Sequence, residues 1–393
     1  MGRSGQRQGA DDFQFRGSPI GDCREAFRFA SEAMSYEDRL KLIEEIETLR
    51  QSKVICYLTS LRPNLGAAIA DDAVRVFFDH LLLLPSRPVK QLDVFLCSNG
   101  GSGVVPWRLI SLIREFAEKV GVIIPCRAYS AATMLALGAD EIVMHPFAEM
   151  GPIDPTVSND FNPVDAQTHQ RVGISVEDVK AYVGFIKETV GIRHEDELVK
   201  AIEILAQKVH PLALGNVERF IAQSRLIARK ILLTHMSEET DQHKIDETIE
   251  TLASKLYFHG HPINRKEARL ELGLKVAETV PPALETATWK LYLDFEEELK
   301  NKQTFDPMVD IFNAAGVPQT PQPGQASIIA AGTMTEDDYK YAFVESSRLS
   351  SVFVLKRRFV VAASGQQFEP LIRAETLSQG WSHQQAPAPA PTA

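Results

Sequence analysis

Between Lys53 and His145, short β-branched apolar runs alternate with amphipathic helical segments, and this constrains the fold more than any other feature. Lys53–Thr59 (KVICYLT), Leu92–Cys97 (LDVFLC), Gly121–Pro125 (GVIIP) and Glu141–His145 (EIVMH) read as buried strands. Asp71–Leu84, Val104–Glu118 and Ser130–Gly138 read as the helices between them; Val74, Phe77, Phe78 and Leu81 form one stripe, Leu109, Leu112, Ile113 and Phe116 another. Strand–helix–strand order with short connections demands right-handed crossovers and a mostly parallel sheet. The reading is an α/β core.

The flanking chain divides by composition. Residues 1–20 are polar and Gly-rich and are expected to be disordered; 21–175 hold the core, opened by a helical pattern between Ala26 and Arg50. Residues 176–302 form a helical extension, with segments at 176–190, 194–207, 214–234, 237–257 and 282–300. A linker at 303–326 contains GVPQTPQPG, a β-rich appendix at 327–377 reads as a hairpin, and 378–393 ends in a Pro-Ala tail expected to be disordered.

Composition removes several functions. With 42 Lys and Arg against 52 Asp and Glu, the net charge is −10, which opposes binding to nucleic-acid phosphate. No run approaches the roughly 20 apolar residues of a membrane helix, and no secretory signal opens the chain. Cys23, Cys56, Cys97 and Cys126 are far apart in sequence, without a C-x-x-C pair, and read as reduced, buried thiols in a cytoplasmic protein. No His, Cys, Asp and Glu grouping has metal-ligand spacing, so no metal or cofactor is expected.

Two loops could carry chemistry. Ser98-Asn99-Gly100-Gly101-Ser102-Gly103 follows the second strand, and its glycines permit positive φ and close approach to the backbone. A dinucleotide fingerprint would need glycine where Pro106 stands, which leaves an oxyanion hole or a plain tight turn. The second loop, Arg127 to Thr133, puts Ser130 at a helix N-terminus among the small residues Ala128, Ala131 and Ala132. Ser130 is either a nucleophile or an ordinary N-cap. About thirty residues separate the loops, one helix-plus-strand unit, so a parallel sheet brings both to one crevice at the carboxyl edge.

The run RAYSAATMLALGADEIVMHPFAEMGPIDPTV, with SNGGSG before it and HGHPINRKEARLELGL after it, resembles the serine dehydrogenase proteinase family. That family is a branch of the Clp-protease, signal-peptide-peptidase and crotonase superfamily. The resemblance runs from about Lys53 to Val276 and implies a ClpP/crotonase-like parallel-sheet core. It implies that Ser130 is a nucleophile, that Gly100 and Gly101 supply oxyanion-hole amides, and that the Ala131 amide is a further donor.

The base is less defined. Where the Clp-type pattern has a histidine, this chain has Pro152-Ile153-Asp154. The signal-peptide branch uses a lysine forty to fifty residues downstream of the nucleophile, and Lys180 is the nearest match, with Glu177 aligning as closely. Lys180 lies at the edge of the stripe Val176, Val179, Val183 and Ile186; a lysine base must be buried to be neutral. His259 and His261 are the alternatives. His210 before Pro211 reads as a helix start, and His194, His235 and His243 as solvent-exposed.

The expected function is a serine peptidase that cleaves protein or peptide substrates through an acyl-enzyme on Ser130. A crotonase-type acyl-CoA enzyme and a catalytically idle scaffold of the same fold are the alternatives. A homo-oligomer is expected, because Phe220, Ile221, Leu226, Ile227, Ile231, Leu232 and Leu233 exceed what one exposed helix face hides.

Overall fold

A computed structural model describes residues 35–154, 156–157, 160–165, 171–256, 260–316, 329–364 and 370–386. The expected disorder at 1–20 and residues 317–326 of the expected linker lie outside these residues, as do residues 387–393 of the tail.

The first described helix, α1 (Tyr36–Arg50), starts where the Ser35 hydroxyl accepts the Asp38 amide and ends at Gln51 in the left-handed conformation (φ 53°). Then come β1 (Lys53–Thr59), α2 (Asp72–Leu82), β2 (Val89–Cys97), α3 (Val105–Arg114), β3 (Ala117–Ile124), β4 (Arg127–Ala128), α4 (Ala131–Ala136), β5 (Glu141–Met144) and β6 (Glu149–Met150). The expected alternation is present. Its boundaries moved most at α3, which stops at Arg114 because Ala117–Glu118 already belong to the third strand.

Short strands β7 (Thr156–Val157) and β8 (Ile174–Ser175) pair with each other. The helical extension comprises α5 (Val176–Gly184), α6 (Glu195–Ala206), α7 (Pro211–Leu232) and α8 (Glu238–Glu250). It continues through β9 (Ile263–Asn264), α9 (Arg265–Leu270) and α10 (Pro282–Glu298). His210 caps α7 by accepting the Leu212 amide, as its place before Pro211 implies.

The main sheet has the order β12-β11-β10-β1-β2-β3-β5, where β10 is Met334–Ser346, β11 Leu349–Ser364 and β12 Pro370–Gln385. Strands β1, β2, β3 and β5 are parallel; β10 runs antiparallel to β1, and the last three strands form a meander. The β-rich appendix is therefore not a separate unit. It extends the core sheet, and β12 carries the chain as strand to Gln385, well into the stretch expected to be disordered. The expected linker also contains a helix, α11 (Pro307–Ala315), which Asp306 caps and whose Ile311 is buried against β10 and β11.

Strict alternation along the strands gives the sheet two apolar faces. Ile43 and Ile46 of α1 and Leu284, Leu291 and Phe295 of α10 cover one, over Val54, Cys56, Phe95 and Ile123. Helices α2, α3, α4, α7 and α8 cover the other, over Ile55, Tyr57, Val94, Leu96 and Val122. Ile221, Ile227, Ile231 and Leu232 of α7 are buried inside the chain, so most of the apolar excess behind the expected oligomer is spent internally. Arg39 of α1 joins α10 and β10 through Asp294 (2.9 Å), Glu298 (2.9 Å) and Glu345 (2.8 Å) in a buried ionic cluster.

Candidate active site

The parallel strands deliver their carboxyl ends to one edge, and the two sequence-marked loops meet there. The Ser98 amide donates to the Arg127 carbonyl (2.9 Å), and the Tyr129 amide donates back to the Ser98 carbonyl (3.0 Å). The glycine loop and the Ser130 loop are thus zipped together beyond the ends of β2 and β3.

Gly100 sits at φ +99° directly against Ser130. A Cβ built on it would lie 2.5 Å from the Tyr129 carbonyl oxygen, 2.7 Å from Ser130 Cβ and 3.0 Å from the Ala131 nitrogen. Only glycine permits that approach. Gly101 faces the other way, where a Cβ would meet Ile69 O at 2.3 Å and Ile69 N at 2.5 Å. The Ile69 amide donates to Gly100 O (2.7 Å), and Ser102 N donates to Ile69 O (2.9 Å).

Ser130 opens α4 with φ 53° and ψ −116°, outside the ordinary wells for a residue with a side chain, and its hydroxyl makes no cap bond. Such a conformation costs about 1–3 kcal/mol and persists where its surroundings hold it. Here the Ala132 amide donates to Tyr129 O (2.9 Å), and Thr133 Oγ1 donates to Ala128 O (2.7 Å). Ser130 does not behave as an ordinary N-cap serine.

The amides around it are unequal. Gly100 N–H donates to Ser98 Oγ (3.0 Å), which is in turn 2.7 Å from Thr59 Oγ1, so it is already engaged. The amides of Gly101 and Ala131 have no acceptor among the described residues. Ala131 N is the first amide of α4, at the positive end of that helix.

A polar group beside the Ser130 loop was not singled out from the sequence. Glu149 Oε1 accepts from Arg127 Nε (2.9 Å) and from the Tyr129 hydroxyl (2.8 Å), and the Arg127 guanidinium lies 5.0 Å from the Tyr129 ring centroid. Burial and then the Glu149 carboxylate push the Tyr129 hydroxyl up to about 12. Arg127 also reaches Asn99 Oδ1 at 3.5 Å. The β4–β6 pairing, Arg127 opposite Glu149, creates this group, and no spacing in the sequence announces it.

The candidate bases are placed as follows. Lys180 is half-buried, and its Nζ donates to Ser254 Oγ (3.3 Å), which also accepts from Arg225 (2.9 Å). Ser254 belongs to the turn after α8, whose Leu252 carbonyl accepts the Ile153 amide (2.9 Å). The Glu177 side chain and His259 lie outside the described residues. His261 is held by Glu267 (2.8 Å), two residues before β9, which pairs with β6.

Other histidines have structural partners. His145 stacks on Trp289 (4.8 Å between centroids), and burial pulls its pKa down to about 4. His235 is not solvent-exposed as expected, because its ring bonds Leu137 O (2.8 Å) over α4; His243 is exposed. Asp140 holds the Val120 amide and Arg114 (both 2.8 Å), a structural use. Among the described residues, no group of three or more metal-ligating side chains occurs, and no helix is long and apolar enough to cross a membrane.

Two uncharacterized proteins of Methanocaldococcus jannaschii are similar. One is 24% identical over 249 residues, covering 62% of this chain and 73% of the relative. The other is 25% identical over 255 residues, covering 63% and 76%. Among solved structures, a mutant of the 1510-N membrane-bound stomatin-specific protease matches with a TM-score of 0.23 and 17% identity. That match covers 35% of this chain and 62% of that one, less than two thirds of its length. Residues 30–200, which hold the glycine loop and Ser130, match the family model of the ClpP-like SDH-type serine proteinases.

Proposed function

We propose that the protein is a serine peptidase that cleaves protein or peptide substrates through an acyl-enzyme on Ser130. The observation that carries this reading is the seating of Gly100 on Ser130, with a would-be Cβ contact of 2.7 Å, beside a serine held at φ 53° at a helix N-terminus. A serine in a strained backbone conformation at a helix N-terminus, with unengaged amides beside it, suits attack on a carbonyl. Ser130 Oγ bonds to the substrate carbonyl carbon, the amine leaves, and water then releases the acyl group.

The oxyanion donors in this reading are the unengaged amides of Ala131 and Gly101. Gly100 serves chiefly by its missing side chain, since its own amide is given to Ser98 Oγ. Lys180 is proposed to take the Ser130 proton. Its Nζ donates to Ser254 Oγ, on the turn that is bonded to Ile153 just past the strand beside the Ser130 loop.

The same reading makes the protein a cytoplasmic homo-oligomer. Reduced, buried Cys56, Cys97 and Cys126 suit the cytosol. Val199, Ile202 and Ile204 stand exposed on α6 and offer apolar surface for association, which light scattering would detect.

A fluorophosphonate probe tests the chemistry. Labelling at Ser130 that is lost in Ser130→Ala, together with loss of peptide hydrolysis by several orders of magnitude, is expected. Absence of label with binding of an acyl-CoA would favour the crotonase-type alternative, and absence of both the idle scaffold.

A further inference from the structure

The two loops of the site share a feature that the peptidase reading does not use: each is rooted at a cysteine. Cys97 is the last residue of β2, and Cys126 immediately precedes β4. The β2–β3 ladder has Phe95 opposite Ile123, and pairing resumes at Ser98 opposite Ala128, so the cysteines occupy the interval between these two points. Both side chains enter the same apolar cluster, on the face covered by α1 and α10. Neighbouring strands lie about 4.8 Å apart, within the Cα separation of roughly 4.4–6.8 Å that a disulfide bridges.

The pair is chemically asymmetric. The Cys97 thiol beside it and then the nearby Arg127 cation hold the Cys126 thiol below the ordinary range against burial and Glu296. Cys97 is 1% exposed and pushed well up, first by Cys126 and then by burial, whereas Cys126 is 8% exposed. Two thiols at the ends of neighbouring strands, the less buried one beside a cation, make the kind of pair that redox-sensitive cysteines use.

We propose that Cys126 and Cys97 form a dithiol modification site that a peroxide-class oxidant converts to a disulfide. The Cys126 thiolate attacks one oxygen of hydrogen peroxide, the O–O bond breaks, and sulfenic acid and one water result after protonation. The Cys97 thiolate then attacks the sulfenic sulfur. The S–S bond forms as the S–O bond breaks, and the departing hydroxide combines with the proton that Cys97 gave up on becoming a thiolate, releasing a second water. Two thiols lose two electrons in all, and one peroxide gains them. The bond would staple the roots of the glycine loop and the nucleophile loop.

The test uses the full chain and reads peptide masses, so it stands apart from any measurement of hydrolysis. The protein is treated with hydrogen peroxide at neutral pH, unfolded, alkylated and digested. A peptide pair joined through Cys97 and Cys126 is expected, 2 Da below the reduced pair and restored by dithiothreitol. Cys56 is buried in the same cluster with no cysteine bonded to it, and is expected to be oxidised at least about tenfold more slowly. In Cys97→Ser the link disappears and Cys126 is captured by dimedone as sulfenic acid. Recovery of both Cys97 and Cys126 fully alkylated from peroxide-treated wild-type protein, at doses that oxidise Cys23 or the methionines, would overturn the proposal. So would a link between either one and another cysteine in its place.

Discussion

Replacing Gly100 by alanine probes the contact on which the site is built. The new methyl would lie 2.5 Å from Tyr129 O, 2.7 Å from Ser130 Cβ and 3.0 Å from Ala131 N, and none of these atoms can swing aside on a flexible side chain. The residue would also have to hold φ +99°, which costs a residue with a Cβ about 1–2 kcal/mol. Ordinary contact is restored only if the loops part by roughly 1 Å, and a displacement of that size at a reacting group lowers rate by about 10²-fold. Gly103→Ala is the matched control, since its Cβ would meet nothing within 4 Å. The assay is the rate of fluorophosphonate labelling at Ser130, with thermal melting alongside. Gly100→Ala is expected to label about 100-fold more slowly, with a lowered melting temperature, and Gly103→Ala close to wild type. Wild-type labelling and melting in Gly100→Ala, or equal slowing in both variants, would refute the contact as the organiser of the site.

Three further outcomes follow from buried polar groups. His80 is 1% exposed between Ser346 Oγ (2.9 Å) and Ser351 Oγ (3.0 Å), and burial pulls its pKa from 6.5 to about 4. The unfolded chain therefore binds the extra proton between those values, so this contribution is intact above pH 6.5 and is lost as pH falls toward 4. Urea unfolding at pH 7.5 and 5.0 should show wild type losing about 2 kcal/mol more than His80→Asn. Arg39→Met leaves Glu345 and Asp294 buried without their cation and should cost about 3–5 kcal/mol by urea unfolding, and a loss under 1 kcal/mol would remove that cluster from the stability argument. Lys180→Ala should lower the labelling rate at Ser130 by on the order of 10²-fold if Lys180 is the base; an unchanged rate would transfer the role to His261, whose ring Glu267 already orients.

What the sequence by itself determined was everything with a local cause. Short β-branched apolar runs and 3.6-residue periodicity identified β1, β2, β3 and β5 and the helices between them, because each apolar surface must reach the core wherever that core lies. The paired glycines and Ser130 among small residues were legible because close backbone approach leaves few residue types possible. A parallel sheet, in turn, has only one edge at which such loops can meet. His210 before Pro211 marked a helix start for the same local reason.

Only the tertiary structure decided what depends on pairing across the chain. The partner of β1 is β10, roughly 290 residues later, and nothing in either strand's own pattern names the other; a hairpin that reads as an appendix is also a hairpin that can close an edge. Much of the apolar excess of α7, which reads as an interface from the helix alone, is buried within the chain at Ile221, Ile227, Ile231 and Leu232, while Leu226 stays exposed. Glu149 enters the site through strand register, Lys180 meets Ser254 across 74 residues, and Cys97 meets Cys126 because two strand ends converge. Local period dictates which face of an element is buried, but the free energy that selects its neighbour is shared among residues far apart in sequence, and only the packed chain expresses it.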